Sequence, residues 1–388
     1  MKRTSHPQQG FAHIVVVLIM LVAIGGLAFV AIRRVKSNNG GALAGCSGNQ
    51  KVSMTHEPMD MSDVKSVAPM GLTAGAHVTP IDHLYFYPKS DQRDAAPVYA
   101  MADGFITSIE VRGVNVSSGE KRPPEYRLEM QHSCRTTSYF DLITKLDDSI
   151  LAKAPDAATK GYSGKIAIKS GQVIGHIGAQ SLDTAIYDNT KTLPGFIHPE
   201  MYKAEPWKVH TDDFFSYFPA SQQAEMLAKN NRKVEPRSGK IDYDQPGKLI
   251  GNWFKEGTNG YAGPKNTQVG DGSGRGYWSG HLAIFYDAYD PTKITISIGE
   301  FKNGQPQAFA VKGNTPDPAK VDATSGVIKY ELVTTSSGVG QNSYQMDNRV
   351  MGVVLVQVLP GEKIKFQVFP DATTAQVSGF TNPVTYER

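Results

Sequence analysis

Ten histidines are scattered through the 388 residues, and no two of them stand as His-x-His or as His-Glu-x-x-His. A metal centre in this chain therefore has to be assembled from ligands far apart in sequence. One local cluster, Met54, His56, Met59 and Met61, offers the thioether and imidazole donors of a soft copper site, although a flexible methionine-containing segment explains the same residues more simply. The two cysteines, Cys46 and Cys134, make an even pair that fits an oxidising compartment. Four aromatics, Trp253, Tyr261, Tyr277 and Trp278, gather among glycines in 251–280. Aromatic faces in such a stretch can line a carbohydrate- or ligand-binding mouth, with Trp253, Tyr277 and Trp278 as the candidate contacts; the alternative is that they cap a barrel core.

These residues must be positioned by a mainly β body, because 38 Gly and 23 Pro imply many turns. AMADGFITSIEV (100–111) and YRLEMQH (126–132) alternate with period 2, and IAIKSGQVIGHIG (166–178) is punctuated by glycine. The stretch 112–125, with Gly113, Gly119, Pro123 and Pro124, reads as a loop. Helix is expected at DDSILAKA (147–154), and at PASQQAEMLAKN (219–230) with Pro219 at its start. From 240 onward, KLIGNWF, GHLAIFYD, KITISIGEF, GVIKYELV, RVMGVVLVQVL and KIKFQVF predict a β-sandwich or barrel. Gly251-Asn252-Trp253 is similar to the Gly-x-Trp start of lipocalin-like barrels.

Residues 11–32 carry no charge and in a helix span roughly 33 Å, enough to cross a bilayer core. The run is long and stops at Arg33-Arg34, so an uncleaved single-pass transmembrane helix is expected, and the membrane is a partner. Of the 40 bases, Lys2, Arg3, Arg33, Arg34 and Lys36 flank this run, leaving 35 against 37 acids elsewhere. The basicity is a membrane collar, and no nucleic-acid partner is expected. Both flanks are basic, so charge alone does not orient the helix. Gly10-Phe11 ahead of the apolar run resembles a type IV prepilin leader, although Val15 stands where that family has Glu and SNNGG follows almost at once. Leu43-Ala44-Gly45-Cys46 spells a lipobox, making Cys46 a lipidation candidate; ten residues including RRVK separate it from the apolar run, and a linker or disulfide role is the alternative.

The stretch 77–188 resembles the lysostaphin-type peptidoglycan metalloendopeptidases, a duplicated hybrid motif fold that also recurs in non-catalytic relatives. The resemblance rests on TPIDHLYF (79–86), PVYAMADGFITSIEV (97–111), YRLEMQHSCRTTSYFDL (126–142), IKSGQVIGHIG (168–178) and SLDTAIYD (181–188), in that order. It implies a zinc site held by His and Asp of the first segment and the second His of His-x-His, with further histidines at the transition state. Asp82 keeps the ligand Asp, but four residues before it stands Val78; His77 lies one place further back and, on an extended strand, on the opposite side. A kink at Pro80 can rescue it. Asp141 replaces the histidine of the Tyr-x-His-Leu segment, Ser181 and Asp183 replace the His-x-His pair, and His132 is retained. The candidate metal ligands are thus Asp82, Asp183 and His77, and the candidate catalytic residues His132 and Asp141. Zinc is conceivable on such a set, but no cofactor is the expectation. His83 is read as packing on the other face, and His281 in GHLAIF as a false match, because Ala283 stands where a second ligand is needed.

The resulting organisation is a cytoplasmic or leader segment (1–10), a transmembrane helix (11–32), a linker (33–76), a degenerate endopeptidase-like domain (77–188), a connecting segment with a short helix (189–239) and a β-rich domain (240–388). The functional expectation is a single-pass membrane protein with an extracytoplasmic, non-catalytic body that binds or regulates in the cell envelope. Its expected partner is peptidoglycan or another envelope protein. The alternatives are a zinc-dependent cell-wall endopeptidase with an altered ligand set and a pilus-like or structural surface protein.

Overall fold

The computed structural model describes residues 46–114, 121–264, 276–335 and 340–388. The segments 1–10 and 11–32, with the prepilin-like start, lie outside the described residues, as do 33–45. Among the described residues no helix is long and apolar enough to cross a membrane.

The first part of the chain lays down β1 (Val64–Ala68), β2 (Leu84–Pro88), β3 (Ala96–Tyr99), β4 (Gly104–Val114), β5 (Lys121–Gln131), β6 (Thr136–Ile143) and β7 (Lys145–Leu146). Two single-turn helices follow, α1 (Asp148–Leu151) and α2 (Ala157–Lys160), and then β8 (Tyr162–Ile168), β9 (Val173–Ile177) and β10 (Leu182–Asp188). The helix expected at 147–154 is thus cut to one turn, capped by Asp147 Oδ1 accepting from Ser149 N at 2.9 Å. Seven strands form one sheet in the order β1-β2-β10-β6-β5-β4-β8, and β3-β9-β7 form a small second sheet.

Alternation gives the large sheet two chemically different faces. Leu84, Phe86, Leu128, Met130, Phe140, Leu182 and Ile186 point into the apolar core. The intervening residues, Tyr85, Arg127, Tyr139, Asp141, Asp183 and Tyr187, share the other face, where the register sets Asp183 opposite both Tyr85 and Asp141.

Two expectations are corrected here. The linker reading of 33–76 fails for residues 46–76: Met54 and Met59 are fully buried, Met61 is nearly so, and β1 is an edge strand of the sheet. The three methionines are core residues rather than copper ligands, and His56 packs against Tyr99 at 4.6 Å. The loop read at 112–125 is mostly strand, since β4 and β5 pair out to Val114↔Lys121. Pro123 and Pro124 are tolerated in β5 because its pairing with β6 begins only at Tyr126 and its ladder to β4 is irregular between Arg112 and Val114, so no regular pair needs their missing N–H groups.

The glycines of the segment 168–178 have structural work. Gly171 adopts φ +76° in the turn between β8 and β9, and a Cβ on Gly178 would stand 1.9 Å from the Gln92 carbonyl oxygen. The two motif turns, Ala102-Asp103-Gly104 and Lys169-Ser170-Gly171-Gln172, also hold each other, because Asp103 accepts from Ser170 N at 2.9 Å and from Lys169 Nζ at 2.7 Å.

After β10 the chain passes through short 3-10 turns, one of them Pro206–His210, to α3 (Ala220–Lys229), with Pro219 at its N-cap as expected. The rest is β11 (Gly251–Lys255), β12 (His281–Tyr286), β13 (Ile294–Ile298), β14 (Gln307–Val311), β15 (Ile328–Thr335), β16 (Met346–Leu359), β17 (Lys363–Pro370) and β18 (Val384–Glu387). These run up and down in chain order and close β11 onto β18, so the sandwich-or-barrel alternative resolves as a barrel. Trp253, Leu282, Ile296, Phe309, Leu332, Val354 and Phe366 fill its interior. The barrel also joins the core of the first part: Phe254 and Tyr261 belong to the same apolar cluster as the large sheet, and Phe254 meets Tyr202 at 5.4 Å.

Candidate functional site

The polar face of the large sheet gathers the residues singled out by the family resemblance. Asp82 and His83 lie just ahead of β2, Asp141 comes from β6 and Asp183 from β10, and all four are less than a tenth exposed. His83 sits at the centre, not on the far side as expected. Its Nδ1 is 3.3 Å from Asp82 Oδ1, and its Nε2 is 3.0 Å from the Tyr85 hydroxyl and 3.5 Å from Asp183 Oδ2. The period-2 expectation failed because residues 77–83 are not a strand; β2 begins at Leu84, and Ala74 and His77 close a tight turn instead. His77 is accordingly brought near, with its ring 6.1 Å from that of His83. Although its edge still touches solvent, burial, together with His83 and Lys208, pushes its imidazole down to about 3.

Lys208 is the residue that sequence reasoning missed. It enters from the turn Pro206–His210, is 2% exposed, and places Nζ 3.7 Å from Asp82 Oδ1 while donating to the Pro80 carbonyl at 2.9 Å. The Tyr187 hydroxyl donates to the other Asp82 oxygen at 3.5 Å. Burial opposes the charge on Asp82, but Lys208 and His83 outweigh it and hold the carboxyl well below the usual carboxylate range. The only available signal for Lys208 was a lysine set between Trp207 and Val209 in an aromatic- and proline-rich stretch.

Asp141 is clamped by two guanidinium groups, Arg112 Nη2 at 3.1 Å and Arg127 Nη1 at 3.3 Å. Its Oδ1 also accepts from Leu142 N at 2.8 Å, where Leu142 holds φ +64°. Arg127 stacks over Tyr139 at 4.0 Å. Both oxygens of Asp141 are thus engaged, by two guanidinium groups and a backbone N–H. Asp183 accepts from Ser181 Oγ at 2.9 Å, and burial, then the charge of Asp141, pushes its carboxyl well above the usual range.

His132 is not part of this group. It stands at the β5–β6 hairpin, with Nδ1 3.0 Å from the Asp103 carbonyl and Nε2 2.8 Å from Ser138 Oγ. Asp141 lies several residues further along β6, at ~3.3 Å per residue, so the two candidate catalytic residues do not meet. His132 is a hydrogen-bonded strand-end histidine.

The carboxylates that would hold the family's zinc have other partners. Asp82, Asp183, His77 and His83 are neighbours, but the carboxylates are already engaged by Lys208, Ser181 and His83. Among the described residues no group of three or more His, Cys, Asp or Glu is placed to hold a metal ion.

The C-terminal candidates are redistributed. Trp253 is fully buried at the base of the barrel, its Nε1 donating to the Leu249 carbonyl at 2.9 Å and the Arg388 guanidinium lying 4.0 Å over its ring. This burial corrects its assignment as a ligand contact. Tyr277 packs against Tyr261 at 5.8 Å and His281 at 5.4 Å, on the side of the barrel that faces the sheet. Tyr261 in turn lies 5.4 Å from Lys208 Nζ. Trp278 packs edge-on against Tyr277, and among the described residues its buried Nε1 has no hydrogen-bond partner. Cys46 forms a disulfide with Cys134, so its sulfur is not available for the thioether of a lipid anchor, and the lipidation reading is corrected. A cavity of about 480 Å³ lined by Arg232, Lys240, Asp242 and Tyr243 shares no residue with the site.

No family profile matches the chain, and no curated protein does. Among solved structures it is similar to a zinc-containing peptidase from Vibrio cholerae, 18% identical over 36% of this chain with a TM-score of 0.24. The chain spans 40% of the length of that peptidase. It is also similar to lysostaphin, 12% identical over 88% of this chain and 92% of lysostaphin, with a TM-score of 0.27. These values amount to a weak resemblance to the peptidase family and leave the argument with the residues themselves.

Proposed function

We propose that the chain is a single-pass, membrane-anchored protein whose extracytoplasmic body is a non-catalytic relative of the lysostaphin-type endopeptidases. In this reading the body binds peptidoglycan or another envelope protein, or regulates there, without cutting. The observation that carries the reading is the clamping of Asp141 between Arg112 and Arg127 on a sheet face whose motif turns are intact. The turns that build such a scaffold are kept, while the position needed for proton transfer is locked in ion pairs. The Cys46–Cys134 disulfide supports an oxidising compartment for the body. The apolar run 11–32, followed by Arg33-Arg34, supports the anchor.

The test is co-sedimentation of the full chain, in detergent, with insoluble peptidoglycan, while soluble muropeptide release is followed with and without added zinc. Retention on the pellet with no release in either condition is expected. Zinc-dependent release would make the chain a hydrolase, and failure to sediment would remove peptidoglycan as the partner.

A further inference from the structure

The centre of the polar sheet face holds more carboxyls than fixed cations. Asp82, Asp141 and Asp183 converge there, and Glu205 lies close enough to Lys208 and Asp82 to feel both charges. Against them stand Lys208, Arg112 and Arg127. The two arginines are shared between Asp141 and the neighbouring Glu110 and Glu129, and Lys208 is the cation at the Asp82 end. That end is where the resemblance would put a divalent metal, with Asp82 as ligand and His77, His83 and Asp183 around it.

We infer that the Lys208 ammonium is the resident cation of this site and takes the electrostatic place of a metal ion. The ammonium approaches Asp82 from the turn Pro206–His210, is anchored by the Pro80 carbonyl, and is roofed by the Tyr261 ring of the barrel end. The turn is fixed to the sheet by a bridge between Tyr187 and Thr211, so Lys208 is delivered by backbone rather than by a mobile side-chain excursion. A single ammonium neutralises the Asp82 carboxylate but offers no open coordination position, so it cannot bind and acidify a water as a metal ion does. It also repels any divalent ion from the same carboxylate. The site is thereby closed to metal by a side chain of the same polypeptide.

The inference rests on the endopeptidase-like reading, but its test reads metal rather than peptidoglycan. The full chain and its Lys208→Ala variant are incubated with zinc, dialysed and analysed for metal, and their melting is followed with and without zinc. The wild-type chain is expected to retain no stoichiometric zinc and to melt at the same temperature in both conditions. Lys208→Ala is expected to retain about one zinc per chain and to melt higher when zinc is present, as linkage requires of a native-state ligand. Adding Asp82→Asn to that variant should abolish both effects.

Stoichiometric zinc on the wild-type chain overturns the inference, and so does a folded Lys208→Ala variant that takes up none. If Lys208→Ala does not fold, a cycle of Lys208→Met and Asp82→Asn decides. The double variant should have a folding constant at least about tenfold above the product expected from the singles, and additivity overturns the pairing. An intact mass 18 Da below the sequence value would mean that Lys208 and Asp82 have condensed to an amide, and would overturn the ionic assignment. Loss of peptidoglycan retention with the zinc results unchanged would remove only the functional reading.

Discussion

The seven-stranded sheet and the eight-stranded barrel are both antiparallel, yet they use their interiors in opposite ways. The sheet buries apolar side chains on one face and, on the other, a layer of tyrosines, carboxylates and cations sealed by the Lys208 turn and the barrel end. The barrel fills its interior with Trp253, aliphatic residues and Phe309, and holds a charge cluster beside Trp253. There Arg388 covers Trp253, meets Glu362 at 2.8 Å and donates to the Ile250 carbonyl at 2.7 Å. Closure explains part of the contrast, because a closed barrel has one interior to fill, whereas an open sheet has a second face to cover. In the chain as folded, the barrel serves as part of that cover.

The contrast can be broken most forcefully at the sheet's staple. Replacing Cys46 and Cys134 by alanine removes a cross-link spanning 88 positions and should cost about 4–5 kcal/mol on the chain-entropy argument, read by urea denaturation. If the barrel's tryptophan signal is lost in the same step, the two parts are one cooperative unit; two steps would separate them. In the barrel, Trp253→Ala empties a fully buried site and should cost about 3–5 kcal/mol in the same assay. A loss below about 1 kcal/mol would mean that the barrel core is not packed around this ring.

A smaller effect tests where the two parts meet. Burial pushes the His281 imidazole down to about 3, with its Nε2 2.9 Å from the Tyr261 carbonyl and Lys208 adding to the shift. Its folded pKa lies below the unfolded value, so the unfolded chain takes up the proton first. Stability from this group is complete above about pH 6.5 and falls as the pH drops toward 3. At pH 5 the loss should be about 2 kcal/mol relative to neutral pH. Because Asp183, Glu205 and Asp244 have raised pKa values and shift stability the other way, the measurement is a difference. The slope of stability against pH between pH 7 and 5 should be less positive in His281→Gln than in the wild type, and equal slopes would show that the His281 pKa is unchanged by folding. The smallest change is expected at Asp103→Asn, which removes the exposed pair with Lys169 and should cost about 0–1 kcal/mol. A larger loss would make the contact between the two motif turns a principal support of the sheet.

Much of the architecture was legible because it depends on local patterns. Alternation through 100–111 and 126–132 marked strands, Pro219 marked the start of α3, and the run of strands after 240 marked a sandwich or barrel. The misreadings have common causes. Residues 46–76 lack periodicity, which points to a linker, yet Met54 and Met59 are buried because other segments cover them. Pro123 and Pro124 point to a loop, but they stand where the β4 ladder is irregular and the β6 ladder has not begun, so neither missing N–H breaks a pair. His83 faces the site because residues 77–83 are not a strand, so a period of 2 does not apply to them.

For the site, the sequence by itself determined which side chains share a face. Tyr139 and Asp141, Asp183 and Tyr187, and Arg127 and Glu129 alternate along their strands whatever the rest of the molecule does. It also determined that no histidine pair was at hand to build a zinc site locally. Only the tertiary structure decided which charge meets which. Lys208 reaches the carbonyl of Pro80 from 128 positions away, and Arg112 reaches Asp141 from a strand that is not its neighbour in the sheet. Ion pairing depends on distance in space and on exclusion of water, and neither is written in the spacing of residues so far apart along the chain.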